Sequence, residues 1–491
     1  MQDVFSGVVD LERSARQSLY RQLYEQLRGA ILDGRLPAGT RIPSSRAMAA
    51  QLGVARNTVL AAVEQLAAEG FLEARRGSGT LVSAQLSAGL TRAARQRRSG
   101  TRPVYALSAA GTRLAGISRT SDGGETPRPF MPGIPDIGAF PAAIWARLLR
   151  RETQRLQPEA LAYGWTAGHP RLREVLCAHL REMRGIQAEP EQIIITSSAQ
   201  GALDLLARAL VGPGDRVWLE EPGYLGARAA FSGAGARLVP VPVDAHGLNP
   251  NGKHAVPRAI YVTPSHQYPT GRLMPLARRL ELLDVAERHG AYVIEDDYDS
   301  EFQFKGRPVA ALQGLDPEGR VLYVGTFSKI LQPGLRVGYA VVPSALAGPL
   351  GAIQRNTGQI VPVAIQLALA AFIEEGHLRA HVRRMCALYE QRQRALADGL
   401  SALFKGLLTV EKPAGGMQLI AGLPGKIDDT AIVARLAERG VQARALSSFY
   451  LGKAKSQGLL LGFAGYASEA IEAGLKEIKE ILRSNTDGQP L

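Results

Sequence analysis

Between residues 129 and 485, short apolar runs of strand length alternate with stretches of helical character. The strand-like runs lie at residues 193–196, 217–220, 261–264, 292–295 and 321–324. Alternation of this kind is typical of α/β proteins, in which strands and helices follow one another along the chain. The sequence therefore predicts an α/β large domain built on a mostly parallel sheet with helices on both faces.

The length and composition of the chain limit the class of protein. With 491 residues, the chain is too long for one ordinary core, so at least two domains are expected. Its two cysteines, Cys177 and Cys386, provide neither a disulfide framework nor metal-ligand spacing. Residues 1–10 lack a signal pattern, and the apolar run at 361–373 is interrupted by Pro362 and Gln366. These features predict a cytoplasmic protein that has no membrane partner.

Positive charge is concentrated near the N-terminus. The formal charge of the chain is +13, and residues 1–100 contribute 14 arginines against eight acidic residues, a net +6. The charge density of this part is about three times that of the remaining 391 residues. A concentrated basic module favours a polyanionic partner, although charge alone leaves open a solvated basic face.

Residues 15–83 have the pattern of three short helices followed by a hairpin. Leu19, Leu23, Leu27 and Ile31 recur at near-helical spacing before Gly34 ends the first helix. A second helix is predicted to begin at residues 43–46, with Ser44 or Ser45 as its cap, and a third to cover residues 56–69. Residues 71–82 have the pattern of strand, tight turn and strand. This order predicts a winged helix-turn-helix.

In a winged helix-turn-helix, the N-terminal end of the third helix contacts base edges and phosphates. Residues 36–83 also resemble the GntR family of bacterial DNA-binding domains over nearly the whole module. We therefore expect a double-stranded DNA operator as partner, with a three-helix domain that binds no DNA as the alternative. The predicted DNA-binding residues are Ser45, Arg46, Arg56, Asn57, Thr58, Arg75, Arg76 and Gly77.

The segment 84–128 is predicted to be a flexible or partly ordered linker. Alanine, serine, glycine, threonine and arginine dominate it, so it has little surface to bury. Four arginines lie close together, at positions 92, 95, 97 and 98. They either contact DNA phosphates or are solvated.

Residues 326–338 carry an unusual set of reactive and phosphate-binding groups. A strand-like run is followed, within eleven positions, by Thr326, Ser328, Lys329 and Arg336. A lysine amine forms a Schiff base with a carbonyl, and hydroxyls with a guanidinium can hold a phosphate. That combination suits pyridoxal phosphate, although a surface loop with a solvated lysine has the same composition.

This stretch resembles the motif Ser-x-Ser-Lys…Pro-Gly-x-Arg-x-Gly of fold-type I aminotransferases, with Thr326 in place of the first serine. The resemblance implies that Lys329 carries pyridoxal phosphate as a Schiff base. It also implies that the turn before the helix at 202–210, with Ser198, Ala199 and Gln200, holds the cofactor phosphate.

Other cofactor contacts follow from the same resemblance. Tyr224 takes the place of the aromatic residue that stacks on the pyridine ring. Tyr268, in the segment Ser-His-Gln-Tyr-Pro-Thr-Gly, takes the place of an asparagine near the phenolic oxygen. Tyr163 resembles the tyrosine that reaches the cofactor phosphate of a neighbouring subunit, which would place a shared site in a homodimer.

An acidic cluster follows the strand-like run at residues 292–295. A carboxylate paired with the pyridine nitrogen keeps that nitrogen protonated. The resemblance assigns this role to Asp296 and a bond with the phenolic oxygen to Tyr298. Acid clusters also bind Mg²⁺ or Ca²⁺. No second ligand cluster accompanies this one, so no metal is predicted.

The enzymes of the family bind the substrate carboxylate through an arginine in the pattern Arg-x-Ser-Phe. The corresponding stretch here, residues 459–464, contains no arginine. Arg444 and Arg228 are the candidates to replace it and to bind an effector. The missing arginine puts ordinary transamination in doubt.

Together, the two modules resemble the MocR/GabR family of bacterial transcriptional regulators. The resemblance implies a homodimer, with domain swapping as one arrangement that the linker allows, in which an amine, an amino acid or a vitamer of pyridoxal phosphate controls DNA binding. Two alternatives remain at this point: an active aminotransferase with an accessory DNA-binding module, and a DNA-binding protein whose large domain is a scaffold without cofactor.

Overall fold

The computed structural model describes residues 7–75, 79–84, 106–117, 128–162, 165–304, 306, 309–404, 406–425 and 427–486. Tyr163, Arg76, Gly77 and the arginines between positions 92 and 98 lie outside these residues, so their predicted roles stay predictions. The chain divides into two compact units between Ala106 and Leu107.

The N-terminal unit contains three helices and a small antiparallel sheet. The helices are α1 (Leu19–Leu32), α2 (Ser45–Leu52) and α3 (Arg56–Ala68); the strands are β1 (Arg41–Ile42), β2 (Leu72–Arg75) and β3 (Gly79–Val82), in the order β1-β3-β2. This arrangement confirms the winged helix-turn-helix.

Short polar residues set the helix boundaries in this unit. The Ser44 hydroxyl accepts a hydrogen bond from the amide of Ala47 at 3.3 Å, so Ser44 is the cap of α2. Gly53 ends α2 with a left-handed φ of +63°, which lets the chain turn directly into α3. Leu23, Leu27 and Leu66 are fully buried between the helices, so these turns position α3 against a continuous core.

The second unit contains an eight-stranded sheet, in the order β4-β11-β10-β9-β8-β5-β6-β7. Its strands are β4 (Ile193–Thr196), β5 (Arg216–Glu221), β6 (Arg237–Asp244), β7 (Gly247–Leu248), β8 (Ala259–Val262), β9 (Tyr292–Asp297), β10 (Val321–Thr326) and β11 (Gly338–Val341). The pairs from β10 through β9, β8 and β5 to β6 are parallel, whereas β11 runs antiparallel to both its neighbours. The predicted mostly parallel α/β sheet is confirmed.

The helices of the second unit cover the sheet and form the parts beside it. They are α4 (Ala109–Ala115), α5 (Ala142–Gln154), α6 (Pro158–Leu161), α7 (Pro170–Arg184), α8 (Ala199–Leu210), α9 (Leu225–Gly233), α10 (Leu276–His289), α11 (Ser344–Thr357), α12 (Val363–Glu374), α13 (His377–Leu403), α14 (Asp429–Glu438) and α15 (Ser468–Thr486). Separate apolar clusters lie against the two faces of the large sheet, as expected for an α/β layer structure.

The parallel direction of the strands determines where polar side chains meet. Strands β4, β5, β9 and β10 end at Thr196, Glu221, Asp297 and Thr326 respectively. Because the carboxyl ends of parallel strands lie at one edge, the loops that follow them share a crevice, which is where α/β sheets bind ligands. The predicted cofactor residues lie in or beside these loops.

A smaller antiparallel sheet lies near the C-terminus of the chain. Its strands are β12 (Thr409–Val410), β13 (Gln418–Leu423), β14 (Arg444–Ala445) and β15 (Gln457–Gly462), in the order β12-β13-β15-β14. Leu419 and Leu461 on one face join an apolar core with side chains of α13, α14 and α15. Because side chains alternate along a strand, the residues on either side of Leu419 and of Leu461 project from the opposite face of the sheet.

Part of the linker, predicted to be flexible or partly ordered, forms a short helix that packs on the second unit. Ser108 caps α4, and its hydroxyl accepts from the amide of Gly111 at 3.1 Å. Leu114 packs close to Gly233 at the end of α9, and Ile117 packs on a cluster formed by Leu225, Phe449 and Leu460. Two apolar side chains at helical spacing therefore hold a segment whose composition alone predicts flexibility.

None of the described helices is long and apolar enough to cross a membrane.

Candidate cofactor, effector and DNA-binding sites

Lys329 lies in the loop that follows β10, and its amine reaches the segment that precedes α5. The Nζ atom donates a hydrogen bond to the carbonyl oxygen of Gly133 at 2.7 Å. Gly133 has a φ of +70°, and a Cβ atom there would lie 2.9 Å from Nζ. The Gly133 backbone therefore lies so close to the amine that a side chain at this position would crowd it. The half-buried lysine points into the crevice.

Asp296 is the next-to-last residue of β9 and has one unpaired carboxylate oxygen. Its Oδ2 accepts a hydrogen bond from the Tyr261 hydroxyl at 2.7 Å, whereas Oδ1 is buried without a partner among the described residues. Burial raises the pKa of Asp296 to about 7, and the bond from Tyr261 opposes that rise. A buried, unpaired carboxylate oxygen suits a cationic N–H donor.

Asp297 and Asp299 each have a charged or ionisable partner within the protein, although Asp299 Oδ2, like Asp296 Oδ1, is buried without a partner among the described residues. Asp297 lies 2.8 Å from the guanidinium of Arg184. Burial opposes ionisation of Asp297, but Arg184 outweighs it and holds the pKa of that carboxyl below its usual value. Asp299 lies 2.8 Å from Nδ1 of His266. The described residues contain no group of three or more His, Cys, Asp or Glu side chains arranged to hold a metal ion.

Small polar residues surround the expected phosphate position. Ser198 caps α8, and its hydroxyl accepts from the amide of Gly201 at 3.0 Å. The Thr326 hydroxyl accepts from the amide of Ser328 at 3.1 Å. The Ser328 Oγ and Gln200 Oε1 atoms are buried and lack partners among the described residues. Of these two groups, the Ser328 hydroxyl can donate to an anion beside the N-terminus of α8, whereas the Gln200 oxygen only accepts.

Backbone packing brings two of the predicted phosphate-binding segments together. A Cβ atom at Gly338 would lie 2.5 Å from the carbonyl carbon of Ser198 and 2.6 Å from the amide nitrogen of Ala199. A residue larger than glycine would therefore separate β11 from the start of α8. Arg336, two residues earlier, is exposed and has a φ of +54°.

Three tyrosines predicted from the sequence form one aromatic cluster. Tyr268 contacts Tyr224, Tyr298 and Phe449 edge to face, with ring centroids 5.4, 5.6 and 5.5 Å apart. Burial raises the pKa of Tyr268 and of Tyr298, so both hydroxyls stay protonated at neutral pH. Sequence reasoning missed Phe449, because a phenylalanine outside any motif gives no signal.

A cavity of about 500 Å³ lies beside this cluster and contains both predicted effector arginines. Arg228 and Arg444 are half-buried, and neither has an ion-pair partner among the described residues. Burial lowers the pKa of each guanidinium. Gly116 and Ile117, from the end of the predicted linker, also line this cavity. An anionic ligand would neutralise charge that the protein leaves unpaired.

The strand register explains how Arg444 comes to this place. Arg444 lies directly opposite Leu460 in the β14–β15 pair. Phe463 matches the phenylalanine of the pattern Arg-x-Ser-Phe, so Leu460 stands where the enzymes have arginine. Residues that oppose each other across an antiparallel pair project on the same face. Arg444 is thus next to the position of the missing arginine.

In the N-terminal unit, the predicted DNA-binding residues cluster where α2 and α3 begin. The Arg56 Nε donates to the Ser45 hydroxyl at 3.4 Å, so the two helix starts are in contact. Arg46, Arg56 and Asn57 are exposed, and Thr58 is half-buried. Arg75, at the end of β2, is exposed and lies 2.9 Å from Glu73.

Two protein-family models match the chain, one for each unit. Residues 19–82 match "Bacterial regulatory proteins, gntR family", and residues 137–478 match "Aminotransferase class I and II". The chain is also 42% identical over 470 residues to the "Probable rhizopine catabolism regulatory protein MocR" of Rhizobium meliloti, across 96% of this chain and 94% of that protein. The chain belongs to the MocR-type transcriptional regulators.

Other MocR-type regulators match it over the same span. The "HTH-type pyridoxine biosynthesis transcriptional regulator PdxR" of Corynebacterium glutamicum is 34% identical, across 94% of this chain and 96% of that protein. Among solved structures, a kynurenine aminotransferase of Pyrococcus horikoshii, in complex with PMP, has 29% identity and a TM-score of 0.68. That match covers 79% of this chain and 96% of the enzyme, so the regulator retains the aminotransferase fold.

Proposed function

We propose that this MocR-type regulator binds operator DNA through its N-terminal unit and senses an amine, an amino acid or a vitamer of pyridoxal phosphate through its second unit. The observation that carries the proposal is the arrangement around Lys329. Its amine shares the crevice with the unpartnered buried atoms Asp296 Oδ1 and Ser328 Oγ, beside the N-terminus of α8. One acceptor for a pyridine N–H and a polar cradle for a phosphate fit pyridoxal phosphate.

The cofactor, when bound, supplies a carbonyl carbon that exchanges amines. Lys329 would then be its covalent anchor, Asp296 would keep the pyridine nitrogen protonated, and Tyr224 would hold the ring. Tyr268 and Tyr298, both protonated donors, would bind the phenolic oxygen. Thr326, Ser328, Arg336 and the start of α8 take the phosphate. Tyr163 of a second subunit completes the site in a homodimer.

The effector that fits the adjoining cavity carries a carboxylate. Arg228 and Arg444 provide two guanidinium groups that form no close ion pair among the described residues, and guanidinium–carboxylate hydrogen bonds are among the strongest in proteins. An amine on the same molecule can then reach the cofactor beside Lys329. In a sensor, the amine of such a molecule would take the place of the Lys329 amine on the cofactor. The sensor would not convert the molecule into product over repeated cycles.

Multiple turnover is the measurement that separates a sensor from an aminotransferase. Full-length protein loaded with pyridoxal phosphate is mixed with an excess of γ-aminobutyrate and 2-oxoglutarate. We expect the cofactor absorbance to change and the aldehyde product to stay below one equivalent per subunit. Product that accumulates over many equivalents would assign an enzymatic function instead.

The cavity also has a physical connection to the chain segment that precedes it. Ile117 and Gly116 line the cavity, and they belong to the chain segment that follows the N-terminal unit in the sequence. An effector therefore contacts the segment that joins the two units. Binding changes operator affinity only if the effector favours one arrangement of that segment over another. In a homodimer, two winged helices read a repeated operator.

Substitution of Arg56 or Arg75 by alanine is expected to weaken DNA binding. Each arginine is exposed at a site where winged helices contact phosphates, and the slope of log affinity against log salt should fall by about 1 for each lost contact. The measurement is salt-dependent binding of a duplex that the parent chain selects from a random library. Arg21→Ala, which removes the same charge from α1, is the control.

Equal affinities of Arg56→Ala, Arg75→Ala and Arg21→Ala at every salt concentration would show that this face is not the DNA reader. Arg75 also pairs with Glu73, so Glu73→Gln should strengthen binding slightly if Arg75 contacts a phosphate.

A further inference from the structure

Gln418 begins β13, and its side chain is buried without any hydrogen bond. The residue is 5% exposed, and neither Oε1 nor Nε2 has a partner among the described residues. A buried polar group without a partner costs about 1–3 kcal/mol. Buried side-chain amides in folded proteins nearly always form hydrogen bonds. A buried amide whose oxygen and nitrogen both lack partners therefore indicates that a bound ligand supplies them.

The register of the small sheet shows which way Gln418 projects. Gln418 lies opposite Gly462, and Ile420 lies opposite Leu460. Leu419, between them, packs in the core against α13. Because side chains alternate along a strand, Gln418 and Ile420 share the face that turns away from that core.

One end of this face lies next to Lys329. A Cβ atom at Gly462 would lie 2.3 Å from the carbonyl oxygen of Met131 and 2.9 Å from Cα of Pro132. The next residue along the chain, Gly133, accepts the hydrogen bond from the Lys329 amine. Since Gln418 is directly across from Gly462, its side chain is on the face against which residues 131–132 pack, next in the chain to the glycine bonded to Lys329.

The other end of the same face lies next to the effector cavity. Ile420 packs on the cluster that contains Tyr268 and Phe449. Arg444 lies on the same rung, opposite Leu460. Two residues of a strand span about 7 Å, so Gln418 is one side-chain position along the face from the rung that carries Arg444. Gln418 therefore lies on the sheet face that connects the rung of Gly462, beside residues 131–133, with the rung of Arg444.

We propose that the Gln418 amide recognises a hydroxyl or carbonyl oxygen of the effector, near its reacting amine. The ligand class is thus a hydroxylated or carbonyl-bearing amino acid rather than a plain aliphatic one. An amide both donates and accepts, which matches a hydroxyl group in both directions. The inference rests on the proposed function, because it needs the amine end at Lys329 and the acid end at Arg444.

The test uses two probes that differ by one hydroxyl group, γ-aminobutyrate and 4-amino-3-hydroxybutyrate. Full-length protein loaded with pyridoxal phosphate is titrated with each, and the cofactor absorbance reports binding. The parent chain is expected to bind the hydroxylated probe about tenfold more tightly, the typical effect of one well-formed buried hydrogen bond. Gln418→Leu is expected to lose this preference and to bind γ-aminobutyrate within about twofold of the parent.

Gln366→Leu is the matched control, because Gln366 is equally buried but fully bonded, to the His169 amide and the Val361 carbonyl, both at 2.7 Å. Without probes, Gln366→Leu should lower the melting temperature, whereas Gln418→Leu should not, since it removes an amide that stabilises nothing. A lower melting temperature for Gln418→Leu would overturn the inference and give the amide a structural role.

Three further results would contradict the inference. The first is a parent chain without preference between the probes, and the second is a Gln418→Leu chain that keeps the preference. The third is weaker binding of pyridoxal phosphate itself, which would assign Gln418 to the cofactor. Failure of the proposed function looks different: neither probe then changes the cofactor spectrum of the parent chain, and both conclusions are lost.

Discussion

Replacement of Lys329 by alanine is expected to abolish the proposed covalent attachment of pyridoxal phosphate. The Lys329 amine lies in the crevice where Asp296 and Ser328 have unpartnered buried atoms, and alanine has no amine to form a Schiff base there. The parent chain should show the visible absorbance of lysine-bound cofactor and keep the cofactor after borohydride reduction. Peptide mapping should place the label on Lys329.

Lys412→Ala is the control for this experiment, because Lys412 is an exposed lysine paired with Asp398. It should leave both the spectrum and the label unchanged. A Lys329→Ala chain with the parent's spectrum, or a parent chain labelled at another lysine, would overturn the cofactor assignment.

Replacement of Arg444 by methionine has the second large expected effect. Arg444 is half-buried, lines the cavity of about 500 Å³ and stands beside the position where the enzymes have their carboxylate-binding arginine. Loss of a charge-assisted hydrogen bond costs about 1.5–3 kcal/mol, so binding of γ-aminobutyrate should weaken roughly 10- to 100-fold. The cofactor absorbance of the loaded chain measures this affinity.

Propylamine is the matched probe for Arg444→Met, because it has the amine but lacks the carboxylate. Its affinity should change little, and Arg228→Met should show the same pattern with a smaller loss, since Arg228 also interacts with Glu221. Equal losses for propylamine and γ-aminobutyrate would mean that Arg444 shapes the cavity and does not bind the carboxylate.

Much of the fold follows from local patterns in the sequence. The strand-like runs before Asp296 and Lys329 predicted β9 and β10, because apolar stretches of that length next to polar loops leave few other conformations. Ser44 and Gly53 likewise set the ends of α2 through hydrogen bonding and backbone freedom that act within a few residues.

Other features depend on pairings between distant residues, and the sequence alone does not reveal them. The place of Arg444 follows from its register with Leu460 on another strand, and that of Gln418 from its pairing with Gly462. The helix α4 is stabilised by packing on α9, and the composition of residues 109–115 does not predict this packing. No motif marks these positions, so only the assembled sheet identifies them as parts of the site.

In the proposed function, ligand binding at Lys329 controls DNA binding by the N-terminal unit. The most direct measurement is operator affinity of the full-length chain, with and without pyridoxal phosphate, γ-aminobutyrate and 4-amino-3-hydroxybutyrate. Coupling between sites is typically about 1–3 kcal/mol, so at least one addition should change the affinity roughly 5- to 150-fold. Lys329→Ala should bind the operator without that response. Identical operator affinity of the parent chain under every condition would contradict the account.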